Sequence, residues 1–299
     1  MRHIFFLTIS IASLFLGGCA QTPQPQAPQM GNLLLAEPAP ANPRSQLAIA
    51  RYNLILNQAS IEDKERADLL FQRGMLYDSV GLTGLAQFDY NQALKLRPDM
   101  AEAYNSIGIH FTQQSEFIQA YEAFDSSIDI DPEYEFAFLN RGIALYYGGK
   151  PELAVVDLTT FLERKSSDPY RALWRYIASR ELDVTSAQSE LREARTQLEE
   201  DNWATSLVDF YLGDIDENAL LNSLINGVTS HQGLTDRLCE AYFYLGKYHG
   251  ARGKRGVASN YFKLALSTNV YEYVEHRYAR LELERLRSVG RASSDTIEP

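Results

Sequence analysis

The chain has 299 residues, of which 45% are hydrophobic and 22% charged, and its formal net charge is −11 at pH 7. An excess of acids without a basic stripe disfavours nucleic acid as a partner, because phosphate backbones are bound by clusters of Lys and Arg. Only two cysteines are present, so we do not expect a disulfide framework.

The first residues have the pattern of a secretory leader. Arg2 precedes an apolar run, 4–16, that is shorter than the roughly 20 residues a membrane-spanning helix needs. The run ends in "LGGC", which resembles a bacterial lipobox with Cys19 as the lipidated residue. We therefore predict a lipoprotein signal peptide at 1–18, whose removal takes away Arg2 and changes the net charge to −12. The alternative is an ordinary signal peptide followed by a chance cysteine.

A tether follows the leader. Residues 19–43 are rich in Pro, Gln and Ala and have no sustained hydrophobic period, so they cannot bury enough apolar surface to fold. Lipidation of Cys19 would anchor this tether by acyl chains, and the lipobox resemblance implies sorting to the outer membrane, with the folded part facing the periplasm. We expect a leading helix within 44–66 and a disordered tail at 289–299.

Small residues and prolines recur every 34 residues in the next part of the chain: Gly74, Gly108 and Gly142; Ala86, Ala120 and Ala154; Pro98 and Pro132. This period resembles the tetratricopeptide repeat, a helix–turn–helix unit that stacks into a superhelix. The sequence therefore predicts an all-α superhelical solenoid with terminal capping helices.

The spacing divides the solenoid into units. Three repeats fill 67–168, two degenerate helical repeats fill 169–238, and 239–288 holds a last repeat and a charged capping helix. Within a unit, small residues at positions 8 and 20 let the two helices approach, and large ones at 4, 11 and 24 fill the space beside them. Arg73 and Arg141 depart from this pattern, because position 7 is usually apolar.

Glycines also recur at position 15 of the units. Gly149 is the fifteenth residue of its repeat, as are Gly81 and Gly253 of theirs. Glycine adopts the left-handed conformation after a helix at no steric cost, so this recurrence predicts helix ends rather than a unique catalytic loop.

Catalytic patterns are weak. The five histidines form no HExxH spacing, and "GARGKRG" at 250–256 lacks the Lys-Ser/Thr ending of a phosphate loop and falls where the last repeat turns. Cys239 lies among apolar residues and is predicted to be a buried hydrophobe. We predict no catalytic residue, no metal, no cofactor and no enzymatic activity.

A solenoid without catalytic residues usually offers a binding surface. First-helix positions that line the groove of tetratricopeptide repeats predict a partner-binding groove: Phe71, Met75, Asn105, Ile109, Leu139, Ile143, Tyr146 and Tyr147. Such an apolar, aromatic groove suits an amphipathic helix or an extended apolar segment. The alternative is that these residues pack against the chain's own terminal helices or a second subunit.

Three stretches are similar to the NlpI lipoprotein family: "RPDMAEAYNSIGI", "AYEAFDSSIDIDPEYEFAFLNRGIALYYGG", and "YFYLGKY" with "VEHRYARLELE". The resemblance implies a homodimeric periplasmic adaptor, anchored in the outer membrane by lipid alone and without activity of its own. It also implies binding of peptidoglycan hydrolases, which are presented to a C-terminal-processing periplasmic protease. Two alternatives are an assembly factor for outer-membrane β-barrels or secretins, and an enzyme acting on peptidoglycan or peptides.

Overall fold

The computed structural model describes residues 35, 38–40, 42–58 and 60–294, with side chains through residue 288. The predicted signal peptide 1–18, Cys19, most of the tether and residues 295–299 lie outside the described residues.

The described residues form helices and turns, with no strand among them. The helices are α1 (Pro43–Leu56), α2 (Asp63–Ser79), α3 (Thr83–Leu96), α4 (Ala101–Gln113), α5 (Phe117–Ile130), α6 (Glu135–Tyr147), α7 (Pro151–Arg164), α8 (Pro169–Ser179), α9 (Val184–Arg195), α10 (Thr205–Leu212), α11 (Glu217–Ser223), α12 (His231–Gly250), α13 (Arg255–Ser267) and α14 (Val274–Ser294). Helix α2 packs on α3, α4 on α5, α6 on α7 and α12 on α13, and successive pairs pack on one another. The predicted all-α helical-repeat solenoid is confirmed.

In each regular pair, a glycine of the first helix lies against a large side chain of the second helix. A Cβ added to Gly108 would lie 2.6 Å from the ring of Phe124, which is fully buried. The same contact recurs in the other regular pairs: Gly74 with Tyr90, Gly142 with Leu158, and Gly246 with Phe262. The large residues are those of position 24, so the small-residue pattern marks places where two helices approach too closely for any side chain.

The two arginines that depart from the repeat pattern form matching ion pairs. Arg73 donates two hydrogen bonds to Asp89, at 2.6 and 2.7 Å, and Arg141 donates two to Asp157, both at 2.8 Å. Both carboxylates are buried. The bidentate geometry compensates for the polar group at a position that is usually apolar.

The turns between paired helices repeat one backbone conformation. Gly81, Gly149 and Gly253 have φ of 78°, 73° and 73°, as expected for helix ends. In the second repeat the fifteenth residue is Ser115, which adopts φ 62° without being glycine. "GARGKRG" spans the end of α12 and the start of α13, and it is therefore a turn between helices.

Some predicted boundaries differ from the structure. Helix α1 ends at Leu56 and α2 already begins at Asp63, so the end of the segment 44–66 belongs to the first helix of the first repeat. Helix α12 begins at His231, eight residues before the predicted unit 239–288. Helix α14 continues to Ser294, so residues 289–294 are helical, whereas a disordered tail was expected at 289–299.

Within the described ranges, no helix is both long enough and apolar enough to cross a membrane.

Candidate functional site: the groove face and the C-terminal helix

The first helices of the pairs, α2, α4, α6, α8 and α12, form one surface that we call the groove face. Helix α14 packs against this surface. Its Tyr278 ring lies 5.4 Å from the Tyr147 ring and 6.4 Å from the Trp174 ring, centroid to centroid. The side-chain amide of Gln113 donates to the backbone oxygen of Arg277 at 3.5 Å. The groove face is therefore partly covered by the chain's own terminal helix.

A buried polar cluster, which we call the clasp, fixes α14 to α6 and α12. Lys247 Nζ donates to Glu282 Oε1 at 2.5 Å and to the Tyr146 hydroxyl at 2.7 Å. The Tyr147 hydroxyl donates to the same Glu282 oxygen at 2.9 Å. Lys247 and Glu282 are each 8% exposed. The ion pair and the two tyrosine hydrogen bonds compensate for the cost of removing these charged groups from water.

The surroundings of the clasp favour the charged form of its lysine. Burial by itself would lower the pKa of Lys247, but the Glu282 carboxylate and the Tyr146 hydroxyl outweigh it, so the pKa is raised. Burial, and then the negative charge of Glu282, raise the pKa of Tyr147 well above its ordinary value. Lys247 therefore keeps its ammonium form and Tyr147 keeps its phenol proton.

Two carboxyl groups, of the half-buried Glu240 on α12 and the buried Glu275 on α14, also influence one another. Burial and the charge of Glu275 raise the pKa of Glu240, and burial raises the pKa of Glu275. The Trp203 indole Nε1 donates to Glu240 at 3.1 Å. Two carboxyl groups that are shielded from water and repel one another retain a proton at a pH where an exposed carboxyl is ionised.

The part of the groove face near the start of α14 is left uncovered and forms a cleft of about 490 Å³. Its apolar lining includes Met75, Ile109, Phe136 and Leu139, contributed by α2, α4 and α6. Met75 is 47% exposed and Phe136 is 46% exposed, so solvent reaches both side chains. The cleft can take apolar side chains from another molecule.

Polar groups at the cleft are linked to one another. Asn140 Nδ2 donates to Asn105 Oδ1 at 3.0 Å, and Asn105 Nδ2 donates to the Tyr134 hydroxyl at 3.5 Å. Burial, followed by the negative charge of Glu102, raises the pKa of Tyr134 to about 12. This chain of bonds across α4 and α6 fixes Asn105 within a mostly apolar lining.

The structure divides the eight predicted groove residues into three groups. Met75, Asn105, Ile109 and Leu139 line the cleft, as the prediction requires for a common surface. Tyr146 and Tyr147 belong to the clasp. Phe71 packs against the ring of Tyr90 at 5.6 Å, and Ile143 is fully buried. The role of these residues in binding a partner stays a prediction.

Tyr147 packs against the terminal helix α14, which was the alternative to partner binding. Its side chain is 5% exposed and contacts Tyr278 and Glu282 of α14. Ile143 has no exposed surface and offers nothing to a second molecule in this conformation. The open part of the groove face is therefore at the cleft, on the first three repeats.

Sequence reasoning missed the residues that dock α14. A charged capping helix was expected at the end of 239–288, yet Tyr278 and Leu281 of α14 are buried. The available signal was the spacing of Val274, Tyr278 and Leu281, which places three apolar side chains on one helix face. Lys247 carried no signal, because its partner Glu282 lies 35 residues away.

Two histidine–carboxylate contacts also escaped the sequence patterns. His110 Nε2 lies 2.9 Å from an Asp78 oxygen, and His249 Nε2 lies 2.8 Å from a Glu217 oxygen. Both histidines are buried, and each contact joins the first helix of a unit to an element of the preceding unit. Their geometry fits a structural role between units.

Cys239 is fully buried, as predicted, and its Sγ lies 3.8 Å from the Ala265 backbone oxygen. Burial raises the pKa of this thiol, which disfavours the thiolate that a nucleophile needs. Among the described residues, no group of three or more His, Cys, Asp or Glu side chains is placed to hold a metal ion.

One stretch of the chain matches a known repeat family. The family model of the tetratricopeptide repeat matches residues 67–100. This is the unit that contains Gly74 and Tyr90, and its bounds coincide with those of the first repeat predicted from the sequence.

The chain is similar to several solved structures. A tetratricopeptide repeat protein from Parabacteroides merdae is 18% identical, covers 82% of this chain and 78% of its own, and has a TM-score of 0.48. YrrB, described as a TPR protein with an unusual peptide-binding site, is 15% identical over 78% of this chain and 97% of its own, with a TM-score of 0.43. MamA is 19% identical over 51% of this chain and 88% of its own, with a TM-score of 0.46.

Proposed function

We propose that this protein is a non-enzymatic adaptor on the periplasmic side of the outer membrane, anchored through lipidated Cys19. In this proposal it binds peptidoglycan hydrolases and presents them to a C-terminal-processing protease, and so regulates turnover of the cell wall. The observation that supports an adaptor is the uncovered apolar cleft on the first three repeats. The sequence resemblance described above supports the identity of the partners.

The chemistry of the cleft suits a polypeptide. Met75 and Phe136 present solvent-accessible apolar surface, and methionine and aromatic side chains adapt to partners and dominate interface energies. Glu272 and Arg277 lie at the border of the cleft and offer charges of both signs. We therefore expect an extended segment or an amphipathic helix, with its apolar side chains on the cleft and its polar groups towards α14.

The experiment is a pull-down from a periplasmic extract with the full-length chain, followed by identification of the bound proteins. We expect peptidoglycan hydrolases and a processing protease. Recovery of barrel-assembly or secretin components in their place would favour the assembly-factor alternative. Cleavage of peptidoglycan or peptides by the purified chain without a partner would contradict the adaptor.

Variants of the cleft test its role. Met75→Glu and Phe136→Glu place a charge on the cleft and should abolish recovery of the hydrolases. Leu153→Glu and Val156→Glu are matched controls, because these side chains of α7 are 54% and 62% exposed and lie outside the cleft. Equal loss from both sets would mean that the cleft is not the binding surface.

The proposed adaptor is a homodimer. Helix α1 presents Leu47 and Leu54, seven residues apart and 73% and 72% exposed, which places two apolar side chains on one face. We propose this face as the contact with a second copy. Light scattering of Leu47→Gln/Leu54→Gln should give a monomer, and an unchanged dimer would exclude this face.

A further inference from the structure

The second half of α14 borders a pocket that is separate from the cleft. Its volume is about 220 Å³, below the roughly 300–1,000 Å³ of sites that hold drug-sized ligands, so it suits one small group. Residues from α6, α8, α10, α12, α13 and α14 line it, which places it where the C-terminal half of the solenoid meets the terminal helix. We call it the arginine pocket.

Cations dominate this pocket although the chain is acidic. Arg180, Arg252 and Arg285 line it, and within the part of the chain that the structure describes none of them forms an ion pair. Lys247 also lines it, but Glu282 neutralises that ammonium in the clasp. The other acid of the lining is Glu181, which leaves an excess of positive charge in a protein of net charge −11.

Two of these arginines lie over aromatic rings. The guanidinium carbon of Arg252 lies 3.3 Å from the centroid of the Tyr248 ring. The guanidinium carbon of Arg285 lies 5.7 Å from the Tyr146 ring and 5.1 Å from the Tyr147 ring. Arg252 Nη1 already donates to the Tyr248 backbone oxygen at 3.2 Å. An arginine stacked on a ring keeps its other N–H donors at the edge of its plane, where they can bind an oxyanion.

The remaining lining is aromatic and apolar. Tyr176, Ile177, Tyr211 and Phe262 are buried side chains of the pocket wall. A bare inorganic anion has no apolar surface, so it would make no favourable contact with the apolar part of this wall. A ligand that combines one anionic group with one apolar group satisfies both parts of the wall.

We propose that the arginine pocket binds a small carboxylate that carries one apolar substituent. The carboxylate lies against Arg180 and Arg252, and the substituent lies against the aromatic wall. The carboxylate arrives either on a free acid or on the last residue of a peptide. The site goes beyond the adaptor function, because it needs no protein bound in the cleft.

Isothermal titration of the full-length chain tests the pocket. The probes are N-acetylphenylalanine and a decapeptide ending in phenylalanine, each as the free acid and as the C-terminal amide. We expect saturable binding of the acids and at least about tenfold weaker binding of the amides, since a charged hydrogen-bonded group is lost. Tighter binding of the decapeptide acid assigns the pocket to chain ends, and equal or weaker binding assigns it to free acids.

Charge variants locate the binding. Arg180→Gln and Arg252→Gln should each weaken binding of the acids by about tenfold. Arg51→Gln removes an exposed arginine of α1, outside the pocket, and should leave the affinity unchanged. Circular dichroism checks that all three variants are folded.

Four results would overturn the proposal. They are equal affinity for acid and amide, no saturable binding at millimolar probe, equal losses in Arg51→Gln and the pocket variants, and displacement of the acids by inorganic phosphate at equal concentration. The last result would assign the arginines to a phosphate group.

Discussion

Lys247 and Glu282 form a 2.5 Å ion pair that joins α12 to α14, and both residues are buried. The pair also bonds Tyr146 and Tyr147 at the end of α6. One carboxylate therefore connects the third repeat, the last repeat and the terminal helix. Helix α14 in turn borders both the cleft and the arginine pocket.

Removal of one partner from the clasp should be costly. Glu282→Ala leaves the Lys247 ammonium buried without its counter-charge, so we expect a loss of about 3–5 kcal/mol in the free energy of unfolding, measured with urea. Limited proteolysis should also cut α14 faster in this variant.

The double variant Lys247→Met/Glu282→Leu serves as the control for this prediction. It removes both charges and fills the space with apolar side chains, so its stability should stay within about 1 kcal/mol of the parent. A double variant as unstable as Glu282→Ala would mean that the clasp acts through shape rather than through charge pairing.

Substitution of two glycines by alanine should change the stability in opposite directions, because only one of them lies at a close helix contact. Gly108→Ala pushes a methyl group to 2.6 Å from the buried ring of Phe124, and this overpacking should cost about 1–3 kcal/mol. Gly84→Ala has nothing within 4 Å of the added Cβ and lies inside α3, so it should gain up to about 1 kcal/mol. Thermal unfolding of both variants measures the difference, and similar effects would contradict the packing explanation.

Glycine at position 115, in the turn of the second repeat, should stabilise the folded protein. Ser115 has φ 62°, a left-handed conformation that costs a residue with a Cβ about 1–2 kcal/mol. Ser115→Gly removes that cost but adds backbone entropy to the unfolded chain, so we expect a gain of up to about 1 kcal/mol.

Ser126→Gly is the control for the turn, because Ser126 lies in α5 and glycine there should lower the melting temperature. A Ser115→Gly variant that melts below the parent protein would show that the serine side chain stabilises the turn more than its backbone conformation costs.

Repetition explains which features were predictable from the sequence. The contact of Gly108 with Phe124 recurs in three other pairs, so a 34-residue period was enough to predict it. The bond from Tyr147 to Glu282 occurs once and joins residues 135 apart, and nothing in the local sequence of either helix specifies the other. The bond from Arg73 to Asp89 lies between these cases, because Arg141 and Asp157 repeat it at the same spacing of 16 residues.

The same distinction applies to the candidate site. Met75, Asn105, Ile109 and Leu139 line one cleft because their repeat positions face one way in every unit. The burial of Tyr147 depends on where α14 packs. The position of a residue within its repeat does not predict that packing. Repeat positions therefore account for four residues of the cleft lining, and their role in binding stays a prediction. Only the structure showed how far α14 covers the groove face.

The carboxyl pair between α12 and α14 predicts a pH dependence. Burial raises the pKa of Glu240 from 4.5 to about 8 and that of Glu275 to about 7. Below pH 4.5 the folded and unfolded states are both protonated, and this contribution to stability is fully present. As pH rises from 4.5 towards 8 the unfolded state releases protons that the folded state retains, so stability falls by about 1.4 kcal/mol per pH unit for each retained proton.

Glu240→Gln should remove part of this dependence. Its gain in unfolding free energy over the parent, measured with urea, should increase between pH 5 and pH 8, because glutamine has no proton to lose. Glu200→Gln is the control: the Glu200 carboxylate accepts from Arg195, which lowers its pKa, so its effect should change only at acidic pH. A Glu240→Gln difference that is constant from pH 5 to pH 8 would mean that the folded protein does not hold a proton between α12 and α14.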